Sequence, residues 1–318
     1  MADQQVLIRY NIEQIFACQE ANCLMIRELE KYCLHRTKIP KHVLADLAKP
    51  MDDVTRSYIQ GANPNDMTLK NQIRDNLNKV NNANYQTIVD ALKQLAYVSV
   101  NNFALLASEI MLKSMNDVMG CKGIEAKNGL KTPSEIYVSI AREFADITVM
   151  CEDAPICFMK VMSTEARVYF DRMTDKTESM DQNNPHRVSN YKGFMNMIGL
   201  MYIYGMFPHN TINVCLGKIS GLMLGSGLKQ DECDNYYSGA ERLINRLLCW
   251  FETPSAGKKK EFDIVRHYIK TFNTKLSEAC GDAVKKEDRP IRLFSVMTHQ
   301  QNVARFETLC GMYDKIGS

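Results

Sequence analysis

The sequence predicts an all-α protein built from successive antiparallel helix pairs. Three observations lead there. From residue 67 onward, apolar residues recur at helical spacing in segment after segment. Few stretches show the β-branched alternation that a half-buried strand requires. The predicted pairs also recur at roughly 40-residue intervals, the period of repeats in which each hairpin buries one face only by stacking on its neighbours. The expected architecture is therefore a HEAT-repeat-type α-solenoid.

Composition fits this expectation. Of the 318 residues, 45% are hydrophobic and 24% charged, enough to bury a sizeable core while keeping a polar surface. The net charge of +2 is too small to demand a nucleic-acid partner, so only local basic clusters bear on that question. The mean hydropathy of -0.28 argues against a membrane protein. The longest apolar stretch, Phe194 to Phe207, falls short of the roughly 20 residues a spanning helix needs. The start, MADQQVLIRYN, lacks the pattern of a secretory signal, so a cytoplasmic setting is expected, with the 11 cysteines as free thiols. Their odd number also argues against a closed disulfide framework.

Three regions follow in order. Residues 1–36 hold an amphipathic helix over 8–36, with Ile12, Ile15, Phe16, Ile26 and Leu29 near helical spacing. Residues 37–65 carry Pro40, Pro50, Gly61 and Pro64 among polar side chains and read as a connector. Residues 66–318 form the helical array, with helices expected over about 67–80, 84–98, 100–119, 133–151, 154–173, 188–206, 209–224, 231–251, 260–280 and 290–314. The run Thr132-Pro133-Ser134-Glu135 marks one start. Thr132 can cap, Pro133 suits the first turn, and Glu135 completes a capping box. The polar stretch 174–190, TDKTESMDQNNPHRVSN, reads as a loop between paired helices.

Candidates for chemistry are weak. Gly217, Gly221, Gly225 and Gly227 suggest a phosphate loop, but no Gly-Lys-Ser/Thr follows and no strand precedes, which favours close helix packing. Cys18, Cys23, Cys33, His35 and His42 contain soft ligands, yet Cys18 and Cys23 fall on different sides of a helix and no Cys-x-x-Cys pair occurs. The remaining histidines, His186, His209, His267 and His299, are scattered. No metal, cofactor or catalytic residue is expected. An enzyme stays open as an alternative, since catalytic groups can meet without a local motif. The clusters Lys258-Lys259-Lys260 and Lys285-Lys286, beside Arg289 and Arg292, are candidates for RNA backbone contact, against the plainer reading of solvated charge.

The stretch 73–97, IRDNLNKVNNANYQTIVDALKQLAY, resembles the first helical hairpin of the middle domain of eukaryotic translation initiation factor 4 gamma. The resemblance extends over roughly 66–316. It includes NNFALLASEIMLKSMND, the segment YKGFMNMIGLMYIYGMFPHNTINVCLGKI, and Arg289-Pro290-Ile291-Arg292-Leu293-Phe294. It implies a non-catalytic scaffold that binds a DEAD-box RNA helicase through Leu77, Val80 and Tyr85, with Arg292 as a second contact. Here Val80 replaces the family's leucine and Tyr85 its phenylalanine.

Upstream, Arg9-Tyr10-Asn11-Ile12-Glu13-Gln14-Ile15-Phe16 resembles the motif with which that family binds the messenger cap-binding subunit. Tyr10, Ile15 and Phe16 would be anchors in a helix-on-groove mode, and Ile15 stands where leucine is usual. Messenger RNA is the implied further partner. The alternative within the same fold is a nuclear cap-binding, splicing or mRNA-decay adaptor.

Overall fold

The computed structural model describes residues 67–80, 84–96, 99–116, 133–151, 154–175, 185–208, 210–224, 230–252, 255–283, 304 and 306–315, all within one compact unit, Ile39–Ser318. They are mostly helical. The helices are α1 (Met67–Lys79), α2 (Tyr85–Ala96), α3 (Val100–Asn116), α4 (Pro133–Glu143), α5 (Phe158–Met173), α6 (Pro185–Ile203), α7 (Asn210–Leu224), α8 (Gln230–Phe251) and α9 (Lys259–Ala283). A short 3-10 turn, Ala256–Lys258, precedes α9. A last helix, α10, covers 306–314.

Local chemistry explains the joints. Asn84 closes the first hairpin, because its Nδ2 donates to the Lys79 carbonyl at 2.8 Å while its own carbonyl accepts from the Ile88 amide at 3.0 Å. Ser99 caps α3 by accepting from the Asn102 amide, and Asn102 Nδ2 reaches back to the Leu95 carbonyl of α2. At the end of α6, Gly205 adopts a φ of 72°, with the Gly205 amide on Tyr202 O and the Met206 amide on Met201 O. This pair of bonds is a Schellman motif, and Met201 and Met206, both fully buried, supply its apolar contact.

The expected helices 133–151 and 154–173 need correction. Helix α4 stops at Glu143, α5 starts only at Phe158, and two strands, β1 (Thr148–Cys151) and β2 (Ala154–Cys157), pair antiparallel between them. Ile147, Thr148, Val149 and Ile156 are β-branched and stiff at χ1, which disfavours a helix here. The pleat buries Val149 and Ile156 and exposes Met150 opposite Pro155. Pro155 lies in a two-stranded sheet, where each strand is an edge and a missing amide is tolerated.

The expected loop 174–190 is also too long. Pro185 opens α6 at its first position, and Arg187, largely buried, donates Nη2 to the carbonyls of Arg172 and Met173 at the end of α5. A cation on the last carbonyls of a helix satisfies orphan acceptors and complements the macrodipole.

Helix α6 is the hub. Of its 19 residues 13 are buried, so it is apolar around its whole circumference rather than along one stripe. It packs against α3, α4, α7 and α8, while α3 in turn contacts α1, α2, α4 and α5. Tyr169 and Phe170 of α5 meet Phe194, Tyr191 meets Tyr236 edge-on, and Tyr202 meets Trp250. Farther along, Phe251 and Tyr313 enclose Phe262, with the Phe262 and Tyr313 rings stacked at 4.2 Å, so α10 docks on α8 and α9.

Glycine makes the tightest of these contacts possible. A Cβ at Gly193 of α6 would sit 2.2 Å from the Met115 carbonyl oxygen of α3. Gly221, by contrast, has nothing within 4 Å of its absent Cβ. Gly193→Ala should therefore destabilise the fold by about 1–3 kcal/mol, the usual cost of overpacking. Gly221→Ala should stabilise it by about 0.5–1 kcal/mol through helix propensity. Thermal unfolding followed by circular dichroism reads both. An unchanged midpoint for Gly193→Ala would show that the two helices do not approach as described.

Candidate partner-binding site

The edge nominated from the sequence is the α1–α2 hairpin. In α1, Leu69, Ile73 and Leu77 repeat every four residues and form its buried stripe. Leu77 has no exposed surface, so its assignment as a partner anchor is corrected. It is a core residue, and a side chain enclosed in this way offers no area to a second protein. Val80 and Tyr85 are half-buried and pack against the core from its margin. Exposed Asn78 and Lys79 lie beside them.

The same hairpin is tied to α3 by polar links that sequence reasoning missed. Glu109, only 1% exposed, accepts from Arg74 Nε at 3.1 Å and from Arg74 Nη2 at 2.9 Å, with Lys70 3.9 Å away. One turn on, Lys113 Nζ donates to Asn78 Oδ1. The pairs 74 with 109 and 78 with 113 advance together, so α1 and α3 run parallel. A carboxylate on the apolar face of a helix, with a lysine four residues later, was the available signal.

Tyr85 opens α2 where Glu143, Tyr204 and Arg142 come near. Burial, then Glu143 and Tyr204, push its phenol far above the ordinary range, so the hydroxyl stays protonated and is a donor. The residue thus combines an apolar face with a polar tip, as interface tyrosines do.

The lysine run 258–260 is not a solvated loop. It spans the 3-10 turn and the first residues of α9. Lys258 Nζ donates to the Trp250 carbonyl at 2.8 Å and lies 4.8 Å above the Trp250 ring. Lys259 Nζ donates to the Tyr313 carbonyl at 3.1 Å. Lys260 alone of the three is exposed, which weakens the run as a grip on RNA phosphate. Beside it is an open groove of about 660 Å³ between α7 and α9, lined by Asn213, Lys259, Lys260, Asp263, His267 and Tyr268. Its floor is fixed, since Tyr268 Oη donates to Asn213 Oδ1 at 2.7 Å. The spacing Lys260, Asp263, His267 on one helix face was legible in the sequence and went unread.

Several nominated residues lie outside the described ones: Tyr10, Ile15, Phe16, Arg292, Lys285 and Lys286, together with Arg289, the Cys18–His42 group, His209, His299, Gly225 and Gly227. Gly217 and Gly221 are inside α7, so neither belongs to a phosphate loop. A Cβ at Gly217 would lie 2.9 Å from Tyr268 Oη, a close-packing role. Among the described residues no cluster of His, Cys, Asp or Glu is arranged to hold a metal ion. No described helix is long and apolar enough to cross a membrane. Comparison with known protein families and with curated proteins finds no match.

Two measurements check this geometry. Removing the guanidinium in Arg74→Met leaves the buried Glu109 short of partners and should cost about 1–3 kcal/mol. A urea midpoint equal to the parent's would mean the pair contributes nothing. Burial pushes the Cys215 thiol up to about 12, whereas Cys249 is exposed. Iodoacetamide should therefore alkylate Cys249 in the native protein and reach Cys215 only after unfolding, as mapped by peptide mass spectrometry.

Proposed function

We propose that the chain is a non-catalytic adaptor of the translation-initiation type, a HEAT-type solenoid that binds a DEAD-box RNA helicase at the α1–α2 edge. The observation that carries the architecture is the matched spacing of its cross-links. Arg74 with Glu109 and Asn78 with Lys113 are each 35 residues apart, so α3 repeats the position of α1 one hairpin later. Further along, Asn196 with Arg246 and Asp171 with Lys218 join helices two places apart at separations of 50 and 47 residues. Helix-on-next-but-one stacking at such intervals is what repeat hairpins produce.

The edge itself suits docking rather than chemistry. Val80 and Tyr85 present partial apolar area next to Asn78 and Lys79, and the links to α3 hold the hairpin in place before any partner arrives. Preorganisation of this kind reduces the ordering cost of association. A scaffold that binds the helicase's closed, RNA-competent arrangement better than its open one shifts that equilibrium. If Tyr10, Ile15 and Phe16 also hold a cap-binding subunit in the cytoplasm, tethering raises the helicase's local concentration at the messenger end.

The test is a pull-down with the full chain, followed by binding measurements on variants. Tyr85→Ala should weaken helicase binding by about 2 kcal/mol if the residue is a hot spot. Lys79→Glu, exposed and remote from the core, should weaken it without touching the fold. Circular dichroism of both variants separates docking from unfolding. Unchanged affinity in two folded variants would remove this edge from the site. Tyr10→Ala with Phe16→Ala should abolish capture of the cap-binding subunit while helicase binding persists. Helicase capture without any cap-subunit interaction would favour the splicing or decay adaptor.

A further inference from the structure

We propose that Lys192, at the crossing of α6 and α8, is a site of acylation by thioesters, a modification site independent of the α1–α2 edge and of the helicase reading. The site is a polar seam between two parallel helices. Tyr191 with Tyr236, Asn196 with Arg246 and Tyr202 with Trp250 are contacts that advance together along both. Lys192 and Asn196 share one face of α6, and Arg242 and Arg246 share the facing side of α8, each pair four residues apart. Asn196 Oδ1 accepts from Arg246 Nε at 3.0 Å, and Arg246 Nη1 lies 3.8 Å from Glu135 of α4. One turn earlier, Lys192 meets the fields of Arg242 and Glu241. The helices approach closely beside it, since a Cβ on Gly239 would fall 2.1 Å from the Tyr191 ring. Lys192 is half-buried and Arg242 exposed, so the seam opens to solvent on the Arg242 side.

Its surroundings set Lys192 apart from four other half-buried lysines. Lys113, Lys218, Lys258 and Lys259 each donate to a side-chain or backbone oxygen. Among the described residues no such acceptor holds Lys192. Burial, then the Arg242 guanidinium, holds its ammonium below the usual lysine range, against a smaller opposing pull from Glu241. A desolvated lysine beside a second cation keeps more free amine near neutral pH, and the free amine is the nucleophile. The product follows from the same two causes. Both penalise positive charge, so the favoured modification removes it. Methylation keeps the charge, and a carbamate would set an anion beside Glu241. An amide is neutral. In the reaction the ammonium gives its proton to water and the free amine adds to the thioester carbonyl. The C–S bond then breaks and the thiolate leaves, to be protonated in solvent. One ammonium and one thioester thus give one amide, one thiol and one proton.

The experiment incubates the full chain with S-acetyl-N-acetylcysteamine, an uncharged thioester, and follows each lysine by peptide mass spectrometry. Lys192 should acetylate about threefold faster than exposed Lys260 and Lys270, and the preference should vanish in urea, where the seam is lost. Arg242→Gln removes the like charge and should slow Lys192 by about threefold. Glu241→Gln removes the opposing pull and should quicken it. A site that reacts through exposure alone would not respond with opposite signs, and the donor carries no charge for Arg242 to attract. Both variants should keep the parent's circular dichroism spectrum and its rate at Lys260. The parent chain, native against urea, decides the matter even where a variant fails to fold. Acetylation of native Lys192 no faster than of Lys260, or rates that move the same way in two folded variants, overturns the proposal.

Discussion

The structure depends on the close approach of α6 to α3 at Gly193 and Met115. A helix buried on all sides must find neighbours in every direction, and side chains at each crossing set how near those neighbours come. At this crossing there is no side chain on α6 at all, and the Met115 backbone occupies the space a Cβ would take. That proximity lets α6 touch α3, α4 and α8 at once. Gly239 does the same on the far side, where a Cβ would fall 2.1 Å from the Tyr191 ring. Tyr191 can lie flat against α8, fully buried, only because that position is vacant. The rest of the helical array is arranged around these two absences.

Much of this was legible because helices advertise themselves by period. Helices expected over 67–80 and 84–98 match α1 and α2 closely, and the resemblance to a helical hairpin in 73–97 matches their pairing. The start at Pro133 needed only local capping chemistry. What failed to show was whatever depended on a short range or on a distant partner. The segment 144–157 contains too few residues for period to distinguish strand from helix, and its β-branched content was outweighed by the apolar run. The start of α6 was hidden among polar residues because Arg187 earns its place through carbonyls of α5, a contact no local pattern reveals.

The candidate site divides along the same line. Leu77 falls on the same buried stripe as Leu69 and Ile73, a spacing that can be read along the helix itself. The role of Glu109 cannot, since a carboxylate at that position is adverse until Arg74 and Lys70 are placed beside it by the parallel run of α1 and α3. Paired in this way the buried carboxylate is compensated, and it links α1 to α3. Lys258 and Lys259 teach a related lesson. A run of three cations reads as one surface feature, but the fold spends two of them on helix-end carbonyls and leaves one for solvent.

Among the described residues, burial and pairing separate the polar groups that hold helices together from those that face solvent. Burial raises the phenols of Tyr191, Tyr202 and Tyr237 and the thiol of Cys215, so none of these four ionises near neutral pH. Buried charges are spent on joints, as with Glu109 between α1 and α3 and Arg187 between α5 and α6. Exposed polar groups include Asn78 and Lys79 beside Val80 and Tyr85, and Lys260, Asp263 and His267 beside Tyr268. In both places a polar edge surrounds an aromatic residue whose orientation the interior fixes, by packing for Tyr85 and by the bond to Asn213 for Tyr268. Each aromatic is thus anchored by its own helices, so the orientation of one does not depend on that of the other.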